Sequence, residues 1–79
     1  MTEESILAEI NKLIRAEHGT KVSIDSLLKD SGMDSFGFSM VIMELDNKYG
    51  CFDNEWFDNN VDDKLTVRTL VERVLNASN

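Results

Sequence analysis

The 79-residue sequence has no proline, one cysteine, one histidine and one tryptophan, and only 8 Lys plus Arg against 15 Asp plus Glu. A lone cysteine excludes an internal disulfide framework and any multi-cysteine zinc or iron–sulfur site. A lone histidine excludes His-rich metal chemistry. The shortage of bases leaves a formal net charge of −7, which argues against a nucleic-acid partner, because phosphate binding needs clustered Lys and Arg. No apolar run approaches the roughly 20 residues that span a bilayer. The first residues, Met1-Thr2-Glu3-Glu4, are acidic where a signal or transit peptide is basic. The expectation is a soluble, cytoplasmic, monomeric protein, with little room for a cleft holding its own general acid and base.

What is present is 42% hydrophobic residues, enough for a packed core in place of a disordered acidic tail. The charge is uneven. Residues 1–33 carry a net −2, residues 34–63 a net −7, and residues 64–79 a net +2. The middle segment therefore accounts for the acidity, and most of its acids follow Gly50. Partners with basic surfaces are favoured.

Apolar spacing predicts helices. Ile6, Leu7, Ile10, Leu13 and Ile14 share one helical face, with Thr2 as N-cap and Gly19 as stop. Residues 20–34 form a long connection pinned by Val22, Ile24, Leu27 and Leu28. A loop of this length inside a small domain is unusual and often functional. A second helix is predicted from Ser35 to Tyr49, with Asp34 as N-cap and Gly50 as stop. Phe38, Val41, Ile42, Leu45 and Tyr49 form its core face, and Phe36, Met40 and Met43 a neighbouring apolar face. Asp53 caps a short helix containing Trp56, Phe57 and Val61. Thr66 caps a last helix carrying Val67, Leu70, Val71, Val74 and Leu75. The reading is all-α: a single domain, residues 1–79, built as a four-helix bundle of three longer helices and one short one.

The stretch Gly32-Met33-Asp34-Ser35-Phe36 stands where the long loop meets the second helix. Free N–H groups and the positive end of the helix dipole favour an anion there, so a phosphate ester on Ser35 is well placed. The same residues also read as an ordinary helix cap. Asp58-Asn59-Asn60-Val61-Asp62-Asp63 fails as an EF-hand loop, lacking the glycine at position six and the glutamate at position twelve. No metal site and no catalytic residue is expected. Cys51 has no basic neighbour in sequence to activate it and reads as a small buried hydrophobe.

In its Asp34-Ser35-Phe36 motif, length, helix order, long first loop and acidity, the chain resembles the acyl carrier protein family. The resemblance spans nearly the whole chain. It implies that Ser35 is esterified by 4′-phosphopantetheine from coenzyme A through a phosphopantetheinyl transferase. It further implies that the arm carries acyl groups as thioesters, as in fatty acid biosynthesis and related lipid metabolism, and that the protein catalyses nothing itself. Asp34, Phe36, Met40, Met43 and Glu44 are the expected docking residues for acyl- or aminoacyl-handling enzymes with basic patches. Asp-Ser-Phe-Gly (residues 34–37) looks closer to D-alanyl carrier proteins than to fatty-acid carriers, whose second helix is richer in Glu. An aminoacyl carrier is therefore the alternative. An acidic helical interaction module without a prosthetic group is the reading from another class.

Overall fold

A computed structural model describes residues 2–77. Four α-helices run through them: α1 (Glu3–Ala16), α2 (Ser35–Tyr49), α3 (Asn54–Asn60) and α4 (Val67–Ala77). The long connection contains one 3₁₀ turn, Leu28–Ser31. Among the described residues there is no strand, only an isolated antiparallel bridge between Leu27 and Thr66. The architecture is the expected all-α one, and among the described residues no helix is long and apolar enough to cross a membrane.

The start of α1 follows the reading and adds to it. Thr2 Oγ1 accepts the Ser5 N–H at 3.1 Å, and Ser5 Oγ accepts the Thr2 N–H at 3.1 Å. This reciprocal capping box satisfies two otherwise orphaned donors. The end of α1 corrects the reading. The residue in the left-handed region is His18, at φ 65°, not Gly19. His18 N–H donates to Arg15 O at 3.0 Å and Gly19 N–H to Ile14 O at 2.8 Å, the paired bonds of a Schellman ending. Gly19 is required for space. A Cβ there would lie 2.5 Å from Ile14 Cγ2 and 2.8 Å from Met33 Cγ.

Helix α1 packs against both α2 and α4. Its inward stripe is Ile6, Ile10 and Ile14, all fully buried, with Leu7 and Leu13 half-buried beside them. Val41, Ile42 and Leu45 of α2 and Val67, Leu70, Val71 and Val74 of α4 complete the centre. Each such side chain contributes about 1.5–3 kcal/mol by leaving water. Phe38, Tyr49 and Leu75, read as core, are half-buried at its edges. Phe52 and Trp56 close one end edge to face, with ring centroids 4.8 Å apart. Helix α3 ends at Asn60, one residue short of the reading, and Val61 is extended.

The connection from α1 to α2 is stitched down. The Asn11 side-chain amide pairs with the Val22 backbone, accepting its N–H at 2.8 Å and donating to its carbonyl at 3.0 Å. Leu28 N–H donates to Leu65 O at 2.8 Å and Val67 N–H to Ser26 O at 2.9 Å, tying the loop to the entrance of α4. Ser31 is buried, and its hydroxyl donates to Leu28 O at 2.7 Å. These bonds satisfy backbone groups that an irregular segment would otherwise bury unpaired.

The α1 ending yields a paired prediction. His18→Gly, which removes a side chain from the left-handed region, raises unfolding stability by about 0.5 kcal/mol. Gly19→Ala, which crowds Ile14 and Met33, lowers it by about 1–3 kcal/mol. Urea denaturation followed by circular dichroism checks both; the opposite order would return the stop to Gly19.

Candidate functional site

Helix α2 begins with Asp34 in extended backbone, its Oδ1 accepting the Gly37 N–H at 2.8 Å. Gly32, at φ 79°, ends the 3₁₀ turn and redirects the chain toward this cap. Ser35 is therefore the first helical residue. It is exposed, and its hydroxyl makes no hydrogen bond to a described residue. Because the cap is the Asp34 carboxylate, the Ser35 oxygen is left unused beside the positive end of the helix.

Gly37, not part of the core face read from periodicity, is buried. A Cβ there would lie 3.4 Å from Glu17 Cβ, Met33 Cβ and Asp34 Oδ1. A Cβ at the glycine of Asp-Ser-Phe-Gly would therefore just reach van der Waals contact with the end of α1 and Met33, so packing at this turn is close without demanding glycine.

Ser35 opens onto a groove of about 500 Å³. Half-buried Phe38, Phe57 and Val61 give it an apolar floor, and exposed Lys29, Asp34, Asp62 and Asp63 stand at its rim. Asp62 and Asp63 belong to the acids that follow Gly50, which the sequence places to the side of the serine; the fold returns them to it. Lys29 was missed by motif reading. Its one signal in the sequence is that it is the base nearest to Ser35 along the chain.

The expected docking residues divide among several surfaces. Phe36 is 71% exposed and Met43 56%. Met43 borders a cleft with Phe52 and Phe57. Met40 is half-buried and lies with Glu44 in a separate cleft against Leu13, Ala16 and Glu17 of α1. The exposed large apolar residues of α2 are therefore Phe36 and Met43, with Met40 turned to α1.

Cys51 is buried, as expected. Burial pushes its thiol up from the usual 9.0, against the pull of the nearby Arg73 guanidinium. Arg73, absent from its sequence neighbourhood, donates Nε–H to the Cys51 carbonyl at 2.7 Å. The thiol stays protonated at neutral pH. Among the described residues no three His, Cys, Asp or Glu side chains gather as a metal site.

No protein-family model, curated protein or solved structure matches the chain. The functional reading rests on the site itself and on the motif that opens α2.

The cap makes a separable prediction. Asp34→Ala removes the acceptor for Gly37 N–H and costs about 1 kcal/mol of stability, whereas Asp34→Asn keeps a capping oxygen and costs a few tenths at most. Equal losses in urea denaturation would show that charge, not capping, is what Asp34 contributes.

Proposed function

We propose that the chain is an acyl carrier protein whose Ser35 is the attachment point of a 4′-phosphopantetheine arm. One observation carries this reading. The hydroxyl of Asp34-Ser35 is exposed and unbonded at the first turn of α2, at the mouth of a groove with an apolar floor. The arm would supply a thiol that holds acyl groups as thioesters. Everything else is done by the chain's own residues.

The surroundings of Ser35 fit a phosphodiester. Free N–H groups of the first turn and the positive end of α2 favour an anion there. Lys29 is the one base lining the groove. Asp34 holds the first turn through Gly37 N–H, which fixes the backbone that carries Ser35. The acids Asp34, Asp62 and Asp63 present negative charge around the hydroxyl, suited to a transferase or acyl-handling enzyme with a basic entrance. Phe36 and Met43 then offer apolar contact, Met43 with the adaptability of a thioether.

A second reading, an aminoacyl carrier, has its own observation. Asp62 and Asp63 at the groove rim suit the ammonium of an aminoacyl thioester.

Intact mass after incubation with coenzyme A and a broad-specificity phosphopantetheinyl transferase tests the assignment. The wild type gains one phosphopantetheine and Ser35→Ala gains none. An unmodified wild type would leave the chain an acidic helical interaction module, and modification of Ser35→Ala would move the site. Loading the modified protein with acyl- and aminoacyl-activating enzymes in parallel separates the two cargoes. The contact surface is tested by the same reaction. Phe36→Ala and Met43→Glu each lower the transferase kcat/KM by about tenfold, as for removal of an exposed anchor, while helical circular dichroism is unchanged. Unaltered kinetics in both would remove that face from docking.

A further inference from the structure

A second surface carries the opposite charge. Lys12 and Arg15 stand three residues apart on α1, so their side chains are neighbours. Lys21 comes from the loop that follows. With Ala8 and Asn11 these three bases line one groove of about 340 Å³, and no acid lines it. All three bases are exposed. Neither ion pair of the described residues, Lys48–Glu9 and Arg68–Asp25, involves them.

The groove is also held in shape. The amide of Asn11 is engaged on both sides with the Val22 backbone, which fixes the residue next to Lys21 against α1. Three of the chain's eight bases are thereby gathered on a stable wall, in a protein with a large excess of acid. Repulsion among like charges disfavours such a grouping unless an anion offsets it.

We propose that this groove is a docking site for an acidic segment of a partner protein, whose carboxylates are taken by Lys12, Arg15 and Lys21. Arg15 offers a planar fork matched to a carboxylate, and the lysines lay aliphatic stems along the groove while their ammonium groups reach the ligand. Breadth decides against other anions. The body measures 31 × 26 × 21 Å and carries a net −7. A bilayer or a nucleic acid is broad enough to feel that whole field, and a second copy brings its own −7. A narrow acidic segment meets the local charge, because fields beyond about 8 Å are screened at physiological salt. The groove shares no lining residue with the Ser35 groove, so the proposal stands whether or not Ser35 carries an arm.

The full chain, labelled with nitrogen-15, is titrated at low salt with a synthetic hexaglutamate peptide. Amide shifts are expected to concentrate on residues 8–22. Lys12→Glu and Lys21→Glu are each expected to weaken binding by roughly tenfold, while Lys64→Glu, the same charge change elsewhere, leaves it within about twofold. The amide spectra of the variants report whether each is folded, and two independent substitutions keep the test open if one is not. Scattered shifts, or equal loss from Lys64→Glu, would overturn the proposal. So would inorganic phosphate reproducing the shifts at equal concentration, or anionic phospholipid vesicles binding these residues more tightly than the peptide. Self-association abolished by Lys12→Glu would assign the groove to a second copy and overturn it equally.

Discussion

The burial of one stripe, Ile6-Ile10-Ile14, organises this molecule. Helix α1 is the wall that both α2 and α4 use, and a helix of about four turns holds them with that stripe and its half-buried neighbours Leu7 and Leu13. The consequence is close approach at its C-terminal end. There Glu17 and Met33 lie against the first turn of α2, and the position that must lack a Cβ is Gly19, while a Cβ at Gly37 would just touch Glu17 and Met33. Met33 touches the space at both. The residue just before the N-cap of α2 is thereby wedged between the end of one helix and the beginning of the next. The position of Ser35 follows from core packing as much as from its own cap.

The helices were legible because their apolar spacing is a property of each segment alone. The stripe of α1, the start of α2 at Ser35 and the face of α4 all follow from residues three and four apart. The stop of α1 was not, because a Schellman ending is set by which residue takes the left-handed backbone. Glycine is the default for that role, and here His18 occupies it while Gly19 answers to crowding. The clamp of Asn11 on Val22 and the bond from Leu28 to Leu65 were equally hidden. Long-range pairing of a loop leaves no periodic trace in the sequence.

The site divides in the same way. Asp34 and Ser35 are local features and could be read from a turn signal followed by a helix. The groove they open onto is built from residues far apart in sequence, Lys29 together with Phe57, Val61, Asp62 and Asp63. Composition placed the acids in the middle of the chain, but only the fold brings Asp62 and Asp63 beside the serine. Met40 shows the limit of a helical wheel. It lies roughly 60° around the axis from Met43, close enough to be grouped with it. That rotation is enough to bring it into contact with α1 while Met43 stays in water.

The cap sets a constraint on any ester at Ser35. A carboxylate at the N-cap and a phosphodiester at the next residue draw on the same few N–H groups and the same dipole end, and they repel each other. Asp34 resolves part of this conflict by committing its Oδ1 to Gly37 N–H, which leaves the donors nearer Ser35 to an anion on its oxygen. Lys29, the one base lining the same groove, would supply further compensation. The acids at the rim act against it, so an anion at Ser35 is held by a narrow balance. On the proposed carrier reading, a basic partner surface would tip that balance by covering Asp62 and Asp63. The acidity next to Ser35 would then be incomplete electrostatics that a docking partner enzyme completes.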